Sequence, residues 1–156
     1  MEKLIGKISQ WMGGSDAKLP TTQDDVQTAA AALMVHAMRV DVESRPEEAV
    51  RVKAVLAERF AIDGAELDTL IARGEAEDDN AVDLYRFTKV LAANLDQQGR
   101  EGIVRMLWEV VTADDEIHEF ESNLVWRVSE LIGVPREDRI RLRQEVLASG
   151  ATSRTS

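Results

Sequence analysis

Apolar side chains recur every three to four residues through almost the whole chain, and no apolar–polar alternation is long enough for a strand. The sequence is therefore committed to an all-α fold. The helical pattern also repeats itself. Sliding the chain along itself by 73 residues brings Asp41, Glu43 and Glu48 onto Asp114, Glu116 and Glu121, and Val52 and Val55 onto Val125 and Val128. A one-residue slip then sets Phe60 on Ile132 and Ile62 on Val134. Both halves read helix, acidic turn, helix, short turn, helix. They predict a compact bundle of about seven helices with approximate internal two-fold symmetry.

The first apolar face, formed by Leu4, Ile5, Ile8, Trp11 and Met12, predicts a short amphipathic helix ended by Gly13 and Gly14, so residues 1–21 read as that helix and a linker. The helical domain spans 22–148. Its first helix is capped by Thr22, and the small residues Ala29 to Ala32 predict close helix packing. Pro46 suits the first turn of the next helix, whose buried stripe is Val52, Val55, Leu56 and Phe60. Asp63 is expected to cap a helix that Gly74 closes, and Asn80 to cap one that buries Leu84, Tyr85, Phe87 and Leu91 before ending near Gly99. A further helix starts near Arg100, the next turns Leu124, Val125, Val128, Leu131 and Ile132 inward, and Pro135 opens the last. Residues 149–156 are polar and without periodicity, and are read as a disordered tail.

With 156 residues, the chain can bury enough surface to fold without metal or disulfide staples. The absence of Cys excludes disulfides, thiolate zinc sites, iron–sulfur clusters and cysteine nucleophiles. Lys and Arg number 19 against 29 Asp and Glu, a net charge of −10. Phosphate binding needs a cationic footprint, so nucleic acid is not an expected partner, whereas cations and basic partners are. The N-terminal stretch alternates charged with apolar residues, unlike a signal peptide, and a cytoplasmic protein is expected.

The two acidic turns carry the candidate chemistry. From Glu109 to Glu121 there are six carboxylates and no Lys or Arg. Asp114, at the end of one helix, and Glu121, in the first turn of the next, can converge across the turn. Asp41 and Glu48 repeat that spacing. Glu43, Asp115, Glu116 and His118 are auxiliary candidates. Carboxylate oxygens suit calcium, magnesium or manganese, with zinc ranked behind them. Neither turn has the length or the glycine of an EF-hand loop. Acids near a helix N-terminus also satisfy its exposed amides and dipole without any ion.

The paired turns VDVESRPEEAVRV and ADDEIHEFESNLVWRVSELIGV, set in helical repeats, resemble the TerB-like tellurite-resistance family from about Thr22 to Leu147. The resemblance implies a seven-helix pseudo-symmetric bundle without enzymatic activity, binding divalent metal at its acidic turns and associated with resistance to tellurite and other stresses. A similar module forms the N-terminal region of a membrane-anchored DnaJ-like co-chaperone. The acids of the family's Asp-Gly turn motif match Asp41 with Glu48 and Asp114 with Glu121. Val42 and Asp115 stand where the family commonly has Gly, and a positive φ at Val42 would be costly. Asp114 and Glu121 are therefore expected to dominate.

Other constellations read more plainly. His36, inside an apolar helix, is expected to be a hydrogen-bonded interior residue, and His118 a helix-start residue. A di-iron bundle needs two Glu-x-x-His motifs, and the chain has none. No Gly-x-Ser-x-Gly turn or phosphate loop is present. Trp108 and Trp126 read as core or edge packing. Arg136, Arg139, Arg141 and Arg143, interrupted by Glu137 and Asp138, read as a solvated face. Residues 1–12, with Lys3 and Lys7, are expected to dock onto the bundle or a second copy rather than on a membrane. The leading expectation is thus a non-catalytic, cation-binding module in a stress-response assembly with an unidentified protein partner. A metal-independent interaction domain ranks second and a metal-dependent hydrolase third.

Overall fold

A computed structural model of the chain describes residues 23–40, 46–80, 84–113 and 119–155. Seven helices make up this portion: α1 (Gln23–Val40), α2 (Pro46–Phe60), α3 (Gly64–Asn80), α4 (Tyr85–Asn94), α5 (Gln97–Val111), α6 (Glu119–Ile132) and α7 (Arg136–Thr155). No strand occurs among the described residues. The expected first helix, over residues 1–12, and the Thr22 cap lie outside them.

The repeat is real in three dimensions. Helices α1, α2 and α3 correspond to α5, α6 and α7, and within each triplet every helix packs on the other two. The halves join through α1 against α5, with α2 against α5 mirrored by α6 against α1, as a two-fold relation demands. Helix α4 stands outside the symmetry and packs on α1 and α6.

The same local chemistry ends the second helix of each triplet. In α6, Gly133 adopts φ 82° and the Val134 N–H donates to the Ser129 carbonyl at 2.8 Å, a Schellman cap that turns buried Val134 back onto the helix. In α2, Ala61 takes φ 54° and the Ile62 N–H donates to the Ala57 carbonyl at 3.2 Å. Ile62 packs against the core in the same way. These are the positions that the one-residue slip aligned.

The core runs along the predicted stripes. Ala29 to Ala32, Leu33 and Met34 of α1 are buried, as are Val52, Val55 and Leu56 of α2 and Ile103, Val104, Leu107 and Trp108 of α5. Removing this apolar surface from water is the main favourable contribution to folding, about 25 cal/mol per Å².

Several local expectations are corrected. Gly74 does not close α3 but lies buried within it, where a Cβ would stand 2.8 Å from the Ala31 Cβ and 2.9 Å from the Ala31 carbonyl carbon. Its missing side chain lets α3 approach α1. Asn80 is the last residue of α3, not a cap for α4, and its side-chain amide donates to the Ala76 carbonyl at 2.8 Å. Gly99 lies inside the first turn of α5 rather than ending α4, and its N–H donates to the N-cap Asp96 carboxylate at 2.8 Å. That cap contributes about 1 kcal/mol. Tyr85 and Leu131 point outward, 58% and 41% exposed, because each falls beside its helix's buried stripe. Helix α7 continues to Thr155, beyond the boundary at 148, since each added helical residue gains a backbone hydrogen bond without needing a core contact.

Candidate metal centre

Helices α2 and α6 begin directly after the two acidic turns, and their first turns hold the candidate carboxylates. Pro46 starts α2 with its φ already set for a helix and with no N–H left to satisfy. Glu47 and Glu48 follow at the positive end of the helix dipole. Helix α6 likewise carries acids, Glu119 and Glu121, in its first turn. Glu48 and Glu121 are each the third residue of their helix.

Their burial distinguishes them from the surrounding acids. Glu48 is 1% exposed and Glu121 is 0% exposed. Glu47 and Glu119 are exposed. A carboxylate at these depths loses its hydration, which costs several kcal/mol unless hydrogen bonds, a cation or protonation compensates. Val52 and Val125 lie one turn further along their helices, both buried, so each carboxylate sits at the edge of an apolar stripe. Two equivalent positions, one in each repeat, thus carry an acidic side chain where the core would otherwise take an apolar one.

Asp41, Glu43, Asp114, Asp115, Glu116 and His118 lie outside the described residues. Among the described residues, no three His, Cys, Asp or Glu side chains come together as a metal-holding group. Glu48 and Glu121 are therefore the part of the candidate set that the structure locates.

His36 belongs elsewhere. Its Nδ1 lies 2.8 Å from the Asp78 Oδ1, joining α1 to the end of α3, and Arg39 donates to Asp78 and Asp79 at 3.1 and 2.7 Å. The expectation of a hydrogen-bonded histidine holds, although the ring is only half-buried. The equivalent place in the second repeat is Glu109, whose carboxyl is pushed above its ordinary value by burial and by the neighbouring Glu58 charge.

The repeat in the sequence picks out both buried acids but not their depth. The usable signal was helical phase: Glu48 precedes Val52 by four residues and Glu121 precedes Val125 by four, on the buried face. Among the described residues, no helix is long and apolar enough to cross a membrane.

A family model described as "Tellurite resistance protein TerB" matches residues 27–144, from within α1 to within α7. No match was found among curated proteins or solved structures.

Proposed function

Since the chain belongs to the TerB tellurite-resistance family, we propose that it is a non-catalytic module that binds a divalent cation through its two acidic turns and acts in a tellurite or general stress response. The observation that carries this reading is the pair of buried carboxylates, Glu48 and Glu121, at equivalent places in the two repeats. Glu121 with Asp114 forms the principal set, and Glu48 with Asp41 forms a second site or the far side of a shared one. Glu43, Asp115, Glu116 and His118 are auxiliary. A bound cation relieves the mutual repulsion of the turn acids. Calcium, magnesium and manganese are the ions that oxygen donors favour.

Calorimetric titration of chelator-stripped protein with calcium, magnesium, manganese and zinc tests the proposal. Binding heat with at least one hard ion, accompanied by a higher melting temperature, is expected. No heat and no stabilisation with any of the four would leave a metal-independent interaction domain as the better reading.

A further inference from the structure

Where α1 and α3 begin, side by side, a groove of about 230 Å³ opens on the surface. Ile62, Ala65 and Leu70 give it an apolar lining, and Asp24, Glu66 and Arg73 a charged one. Leu70 is 3% exposed and Ile62 packs against the core, so the apolar lining is the outer edge of the core itself.

The surroundings of this groove are acidic. Residues 23–38 and 61–74, which supply its two walls, hold five Asp and Glu and a single Lys or Arg. Asp24 and Glu66 line the groove, and Asp25 and Asp63 are exposed beside them in sequence. Arg73, the one base, donates to the Asp24 carbonyl at 3.2 Å and to the Thr28 hydroxyl. Arg59, near the end of α2, turns toward α5, where its guanidinium covers Gly102. Each helix start adds about half a positive charge from its dipole, which is less than the two acids standing there, Asp24 with Asp25 and Asp63 with Glu66. The groove therefore sets apolar surface in a negative field, and Arg73 does not reverse its sign.

We propose that the chain's own residues 3–12, KLIGKISQWM, dock in this groove, with the apolar face that includes Leu4, Ile8 and Trp11 on its lining and Lys3 and Lys7 toward Asp24 and Glu66. Two features select this occupant. The segment carries two lysines and no acid, and over residues 1–22 Lys3, Lys7 and Lys18 outnumber Glu2 and Asp16, so its charge is opposite to that of the groove. Its reach also fits. Residues 13–22 join it to α1 and span at most about 35 Å, while Asp24, which lines the groove, stands just past their end. A tethered segment meets such a site at an effective concentration of about millimolar, so a groove that admits only part of the apolar face is sufficient.

The chain has no Cys, so Ser9→Cys gives a single attachment point for a nitroxide on the full chain. The test is paramagnetic broadening of backbone amide signals in the ¹⁵N-labelled protein. The Ala65 and Thr69 amides are expected to lose most of their intensity, and to recover it when the nitroxide is reduced. The double change Lys3→Glu with Lys7→Glu keeps the tether but reverses the charge, and should restore both signals; Glu66→Lys should restore them in part, with an unaltered melting temperature showing that it folds. Undiminished Ala65 and Thr69 signals, or equal broadening in all variants, overturn the proposal. Equal parts of ¹⁵N-labelled chain without nitroxide and nitroxide-bearing chain without ¹⁵N test a second copy: broadening in that mixture matching that in the single chain assigns the groove to a neighbour's segment and overturns the intramolecular reading. Absence of broadening together with binding to phosphatidylglycerol vesicles assigns the segment to a membrane surface, and overturns it as well.

Discussion

The two halves of the molecule follow one path with different side chains. In the first repeat, α1 presents Ala29 to Ala32 and α3 answers with Gly74, so the helices meet almost backbone to backbone. In the second, α5 presents Ile103, Val104, Met106 and Leu107, and the position corresponding to Gly74 is Val146, 7% exposed. Guanidinium–carboxylate pairs join α5 to α7, Arg141 to Glu101 at 2.8 Å and Arg105 to Glu145. Those arginines hold both carboxyls below their ordinary range. The repeat therefore preserves helix order and packing partners while leaving interhelix spacing to side-chain volume. Among the described residues matched by the repeat, only Glu48 and Glu121 place a buried acid in both halves.

The sharpest way to break this comparison is to exchange the packing residues. Gly74→Val forces side-chain atoms into the Ala31 backbone and should destabilise the fold by about 3 kcal/mol, the upper range for overpacking. Val146→Ala leaves a small void and should cost about 1–2 kcal/mol. Urea denaturation of the two variants checks the order. A smaller loss for Gly74→Val than for Val146→Ala would show that α3 can move away from α1.

The two Schellman caps offer a finer contrast. Gly133→Ala should cost about 1 kcal/mol, since an L side chain pays that much in the left-handed region. Ala61 already bears this strain, so Ala61→Gly should stabilise by about 0.5 kcal/mol after the greater entropy of unfolded glycine is offset. Paired thermal melts measure both, and the two signs must be opposite.

The smallest effect concerns the place where His36 and Glu109 correspond. Burial holds the folded-state value of Glu109 above the ordinary 4.5, so its contribution to stability is fully present below the unfolded value and lost as pH rises through the folded one. Glu109→Gln removes this dependence. Measured by urea denaturation across that window, the variant should gain stability on wild type as pH rises toward 7. A constant difference across the window would mean that burial does not govern Glu109.

The fold was legible because helical periodicity and the 73-residue repeat depend on residues close in sequence or on a simple copy of them. Gly74 was misread because a glycine that ends a helix and one that admits a neighbour look alike locally. The difference lies in Ala31, a tertiary partner from another helix. Asn80 had the chemistry of a cap, but its amide found the Ala76 carbonyl one turn back in its own helix. The candidate acids were legible as a pattern, yet burial was not, since charged residues default to solvent and only the packing of a whole helix face draws Glu48 and Glu121 inward. Of the two tryptophans read as core or edge packing, Trp108 lies in the core and Trp126 at the edge: it directly follows buried Val125, one residue out of phase with the stripe, and so faces outward.

The proposal that the acidic turns hold a divalent cation is tested most directly by melting temperature with and without calcium, magnesium or manganese, for wild type, Glu48→Gln, Glu121→Gln and the double variant Asp114→Asn with Glu121→Gln. These changes keep side-chain size while removing charge. The account predicts that the ion raises the wild-type melting temperature, that Glu121→Gln loses most of the increase, that Glu48→Gln loses part of it, and that the double variant loses it altogether. Equal ion-induced shifts in all four proteins would contradict it.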